Sequence, residues 1–176
     1  MGKYLYGIII ILFVYFASCE IYKQFNKKTA RTSRIECQTK SITFEKVYNS
    51  SKISEIKQKL STGNFIIDYS IIKSKYMVSQ INNYIKIDIL QNLVRNITGE
   101  SKKSTLPMKI DFRLYENDKD DPKKKSPKSK LFMGYIRVAF DINNTTIYLI
   151  QSDFKDSMGK DIKNRIECIF NSLKSL

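Results

Sequence analysis

The feature that most constrains the fold lies in the second half of the chain. Met108, Ile110, Phe112 and Leu114 alternate with Lys109, Asp111 and Arg113. Leu131 to Ile142 alternates again, with Phe132, Ile136, Val138, Phe140 and Ile142 on one side. Thr146, Tyr148, Ile150 and Phe154 continue the pattern. A period of two marks a strand with one dry face and one wet face. Asn143-Asn144 separates the last two runs, and asparagine tolerates the positive φ of a two-residue hairpin turn. These three strands predict an antiparallel sheet covered on one side.

The helical pattern supplies the cover. In SKISEIKQKLSTG, Ile53, Ile56 and Leu60 share one face, and Gly63 stands at the C-cap position. A longer helix is predicted from about Ser79. There Ile81, Ile85, Ile89, Leu93 and Ile97 form an i+4 ladder, which Tyr84, Leu90 and Val94 widen and Gly99 closes. A terminal helix, capped by Asp156 or Ser157, carries Ile162, Ile166, Ile169, Phe170 and Leu173 on one face. Two further strands precede these elements. Ile42, Phe44 and Tyr48 recur at period two in ITFEKVY, and NFIIDYSIIKS (64–74) is rich in β-branched and aromatic residues. The order is β-α-β-α-β-β-β-α. It predicts an α+β fold: a mostly antiparallel sheet with two or three helices on one face, the last at the C-terminus. Residues 35–176 form one domain, as 176 residues are too few for two well-built ones.

YENDKDDPKKKSPKSK (115–130) interrupts the strands. Pro122, Pro127 and dense charge predict a long, disordered hairpin loop there. Lys123, Lys124, Lys125, Lys128 and Lys130 make the densest basic patch in the chain. The net charge is +14, and only six of the 31 basic residues are Arg. A surplus of this size attracts anions. Lysine lacks the planar fork that reads base edges, and no aromatics for stacking interrupt the patch. Nucleic acid is therefore a poor match; the run reads first as a solvated insertion, with an anionic polymer or an acidic partner as its functional alternative.

The chain contains no histidine. Ser-His-Asp and Cys-His catalysis, and metal sites that need imidazole, are excluded with it. There is no GxGxxG or Walker A pattern, and the carboxylates form no convergent pair. These absences predict no catalytic residues, no metal and no cofactor.

The N-terminus reads MGKYLYGIIIILFVYFASC. Lys3 precedes an apolar run from Tyr4 to Phe16, and small Ala17 and Ser18 lead into Cys19. This is the three-part layout of a secretory signal. The run is shorter than the roughly 20 residues a bilayer span needs. Phe16-Ala17-Ser18-Cys19 resembles the lipobox of bacterial lipoproteins, with Phe16 where that family usually has Leu. The resemblance covers these residues alone. It implies a signal peptide over 1–18, acylation of Cys19, and a lipidated basic tether over 19–34. Two or more acyl chains anchor a protein stably, at about 0.8 kcal/mol per buried CH2. The competing reading is an uncleaved signal anchor. Lys23, Lys27, Lys28, Arg31 and Arg34 follow the run, and the positive-inside rule would then hold the domain in the cytoplasm.

With Cys19 acylated, Cys37 and Cys168 remain. In an oxidising compartment an even remainder suggests a disulfide, against the alternative of two free thiols. The bridge would close a loop of more than 100 residues, worth about 4 kcal/mol in the chain-entropy model. From Ser79 onward the element order also resembles periplasmic auxiliary lipoproteins of lipid or lipopolysaccharide transport. Together these readings predict an envelope lipoprotein on the periplasmic face or cell surface. Its expected role is to assist a membrane transport or secretion complex through a protein partner. The alternative role is that of a surface adhesin for anionic glycans or host proteins.

Overall fold

A computed structural model describes residues 33–102, 106–124 and 126–176. The signal, Cys19 and the basic tether as far as residue 32 lie outside the described residues, as does Lys125.

The fold is α+β. Five strands form one sheet: β1 (Thr43–Val47), β2 (Phe65–Ile72), β3 (Met108–Glu116), β4 (Gly134–Ile142) and β5 (Thr145–Phe154). Their spatial order is β1-β5-β4-β3-β2. Every pairing is antiparallel except β2 with β3, which is parallel. A parallel pair needs a crossover, and residues 73–107 supply it. The described helices are α1 (Glu36–Thr39), α2 (Ile53–Ser61), α3 (Ile81–Tyr84), α4 (Ile87–Thr98) and α5 (Ile162–Lys174).

The alternation in β3 is complete. Its even-numbered positions are buried and its odd ones are half-buried. Phe112, Ile136, Val138, Phe140, Tyr148 and Ile150 build the dry face of the sheet. Against them α2 brings Ile56 and Leu60, α4 brings Leu90 and Val94, and α5 brings Ile166, Ile169 and Phe170. The Phe140 and Phe170 rings meet edge to face at 6.0 Å. Asn143 and Asn144 take φ values of 51° and 60°, the paired positive values of a type I′ hairpin turn.

The single helix read from Ser79 to Gly99 is two helices. Ile85 is extended (φ −145°, ψ 132°), and Lys86 caps the second helix. Each i+4 step rotates about 40° around a helix, so a ladder from Ile81 to Ile97 drifts by about 160°. One straight helix cannot bury it all. The break resets the phase. Ile81, Ile85, Leu90 and Val94 are buried, while Ile87 and Ile89 turn outward at 41% and 47% exposure.

β1 also differs from its sequence reading. Thr43 pairs with Ser152 and Glu45 with Ile150, so Thr43 and Glu45 face the helices. The apolar Phe44 lies on the opposite face. Glu45 can take the inward place because charged and hydroxyl partners wait there. The terminal helix begins at Ile162 after Asp161, not at Asp156 or Ser157. Asp156 instead accepts from the N–H groups of Met158 (2.8 Å) and Lys160 (3.2 Å), closing a turn before the helix.

The loop expected over 115–130 is corrected at its start. β3 runs on through Tyr115 and Glu116, which pair with Tyr135 and Gly134. β4 begins at Gly134 rather than Leu131, and residues Pro127–Lys130 form a 3-10 turn. Charge density forbade a dry core there, yet it did not prevent strand pairing at the loop base.

Candidate functional site

Two places hold the residues singled out in the sequence. The first is the seam between α1 and α5. Cys37 and Cys168 form a disulfide, with S–S 2.06 Å and Cα–Cα 5.7 Å. Gln38, buried beside it, donates to Ser172 Oγ at 2.9 Å, and Ser172 Oγ donates to the Cys168 carbonyl at 2.7 Å. Arg34 adds a fork. Its Nε and Nη2 donate to the two Glu45 oxygens at 2.9 Å each, and Nη2 also reaches the Ser172 carbonyl at 2.7 Å. Tyr148 Oη donates to Glu45 Oε2 at 2.7 Å. Burial works to raise the Glu45 pKa, but the Arg34 and Tyr148 hydrogen bonds outweigh it and hold the carboxyl below its ordinary value. Burial and the Glu45 contact push the Tyr148 phenol well above its own. Arg34, read in the sequence as the last residue of the basic tether, is instead docked on Glu45 and the Ser172 carbonyl, and the role of Glu45 was not read at all. Glu45 stands on the face of ITFEKVY that the alternation reads as wet, so no local signal marks its inward turn.

The second place is the base of the basic loop. Glu116 is 6% exposed, and its carboxylate stays charged by accepting three hydrogen bonds. Ser74 N–H and Oγ donate at 3.0 Å each, and Gln80 N–H donates at 2.7 Å. Asp118 accepts from the N–H groups of Lys75 (2.6 Å) and Tyr76 (2.8 Å). Asn117 closes the loop, its N–H on the Met133 carbonyl and its side-chain amide on that of Phe132. The loop base thus pins the β2–α3 connection to the end of β3. Lys123, Lys128 and Lys130 are exposed. Lys124 is half-buried and donates inward to Asn117 Oδ1, so it is not part of the free patch.

Burial tends to raise the Glu116 pKa, and its hydrogen bonds from Ser74 and Gln80 bring it below the ordinary value. A group with a depressed folded pKa stabilises most above its unfolded pKa, near 4.3 for Glu. That stability is lost as pH falls through the lower folded value. Glu116→Gln should therefore cost about 2 kcal/mol at pH 7, because an amide NH2 then faces a backbone donor. Urea unfolding at pH 7 and pH 3 checks the charge origin. The gap between variant and wild type should shrink at the lower pH, and an unchanged gap would refute it.

The sheet face away from the helices carries a third group. Asp111 pairs with Arg113 at 2.9 Å and lies 3.7 Å from Arg137. Tyr115 and Tyr135 stack beside them at 4.5 Å. One carboxylate shared by two guanidiniums offsets part of their charge, and with the aromatic pair the face is mixed in character. Between α2, α4 and α5, Leu60, Ile97 and Phe170 floor a shallow cleft flanked by Lys57 and Lys174. Among the described residues, no cluster of three or more His, Cys, Asp or Glu could hold a metal ion. No described helix is long and apolar enough to cross a membrane.

Compared with protein-family models, with curated proteins and with solved structures, the chain gives no match.

Proposed function

We propose that the protein is a non-catalytic, lipid-anchored component of the cell envelope that assists a membrane transport or secretion complex. The observation that carries this reading is the Cys37–Cys168 disulfide. Structural disulfides persist in exported proteins and are rare in reducing cytosol. The bridge uses two of the three cysteines in the chain. The third, Cys19, is the one set behind small residues and an apolar run. A bonded Cys37–Cys168 pair also favours export over the cytoplasmic signal-anchor alternative.

The role as an accessory protein draws on the sheet face that the described helices leave uncovered. Three helices bury one side of the sheet. The other keeps Phe44, Leu149, Tyr115 and Tyr135 only half-buried, among charges that are already paired. A surface of this mixed character resembles the non-obligate protein interface, with aromatics among polar groups.

The test is metabolic labelling with a fatty acid, comparing wild type with Cys19→Ala, followed by purification from mildly solubilised envelopes. Wild type should carry the label and bring a membrane complex with it. Cys19→Ala should lose both the label and the tight membrane fraction. An unlabelled wild-type chain, or one recovered alone in several mild detergents, would defeat the reading.

A further inference from the structure

The topology gathers three connections at one end of the sheet. β2 and β3 are parallel, so both finish there. β4 starts there, and β5 ends there. The three connections are 73–80, 117–133 and 155–161. Contacts join them: Asp118 holds the backbone of Lys75 and Tyr76, and the Lys155 ammonium lies 5.2 Å from the Phe132 ring.

This end combines two properties that seldom coincide on a soluble surface. The first is outward positive charge. Its described residues include nine lysines against five aspartates. Four of those aspartates turn carboxylate oxygens onto backbone N–H groups, Asp121, Asp156 and Asp161 within their own turns and Asp118 across to Tyr76. Lys73, Lys75, Lys123, Lys128, Lys130, Lys155 and Lys160 are exposed. The second is a set of bare apolar tips. Val78 is 81% exposed, Leu131 66%, Met158 61% and Tyr76 57%. These are four of the five most exposed large apolar side chains among the described residues.

Solvated charge alone explains lysines but not the apolar tips among them. An acidic protein would pair with the lysines but would need apolar pockets matched to four tips on three separate connections. A bilayer surface takes both. Its acyl boundary accepts short apolar insertions, and anionic headgroups attract lysine. We propose that this end of the domain docks onto an anionic lipid bilayer, with Tyr76, Val78, Leu131 and Met158 entering the interface and the lysines on the headgroups. The proposal does not depend on acylation of Cys19, because it concerns residues of the folded domain.

The chain has no tryptophan, so one introduced indole is a clean reporter. Leu131→Trp is made in the full chain. Leu106→Trp serves as control, since Leu106 is equally bare at 69% but lies at the opposite end, before β3. Each protein is reconstituted into phosphatidylcholine vesicles with and without phosphatidylglycerol, using lipids brominated in the acyl chains. The indole at 131 should shift to the blue and be quenched when phosphatidylglycerol is present. Molar salt should reverse this. Quenching at 106 should stay low throughout. Replacing Lys123, Lys128 and Lys130 by Gln should weaken docking about a hundredfold, at the usual gain per surface lysine. Melting curves of the variants confirm the fold. Equal quenching at 131 and 106 would overturn the proposal. So would no quenching at 131 with phosphatidylglycerol, including the case in which heparin alone shifts the indole, which would mark a site for anionic polymers. Failure of the fatty-acid labelling leaves this readout unaffected, so the two readings fall separately.

Discussion

Reduction of the Cys37–Cys168 bridge is expected to lower stability by about 4 kcal/mol and the melting temperature by roughly 10 °C. The two cysteines are 131 residues apart in the chain, so the bridge restricts nearly the whole domain in its unfolded state. The folded state changes less. Arg34 still grips Glu45 and the Ser172 carbonyl, and Gln38 still reaches Ser172 Oγ. Those bonds make the seam redundant while the bridge is intact. Arg34→Ala should thus cost more in the reduced protein than in the oxidised one, since both hold the same segment to α5. Denaturant unfolding with and without reductant, for wild type and for Cys37→Ala/Cys168→Ala, measures the effect. A difference below 1 kcal/mol would mean that the denatured chain already keeps these ends together.

Much of the sheet was legible because its signal is local. Alternation in β3 and β4 and the Asn143-Asn144 turn each depend on neighbours a few residues away. β1 was legible as a strand but not in its facing, because parity there is decided by Arg34 and Tyr148. A half-buried, inward-facing Glu45 cannot be foreseen from ITFEKVY. The parallel β2–β3 pairing was equally hidden, since nothing in either strand states its neighbour. The break at Ile85 was readable in principle: an i+4 ladder sustained over four steps cannot stay on one helix face. The pairing of Cys37 with Cys168 could be suggested by parity of the count, whereas their 5.7 Å approach required the docking of α1 along α5. Of the basic run, sequence gave the charge, and the inward turn of Lys124 came from Asn117 across the loop base. The apolar tips that share an end with the lysines come from three separate segments, so no window of sequence contains them.

Gly134→Ala is expected to cost about 3 kcal/mol or more, and it tests the loop base more severely than any charge change. Gly134 sits opposite Glu116, where β3 and β4 meet at their ends. A Cβ there would lie 2.1 Å from the Tyr115 carbonyl oxygen and 2.5 Å from the Phe154 ring. Neither can yield cheaply. The carbonyl is backbone, and Phe154 is fully buried. Relief requires β4 to move away from β3 at the point where Glu116 and Asn117 fasten the loop and the β2–α3 connection. Stability and loop order should fail together: the denaturation midpoint drops, and trypsin cuts faster between Lys123 and Lys130. The exposed Lys130→Ala in the same loop should stay within about 0.5 kcal/mol. If Gly134→Ala matched that control, the close approach of β3, β4 and Phe154 would be wrong, and with it the rigid end that the proposed bilayer docking needs.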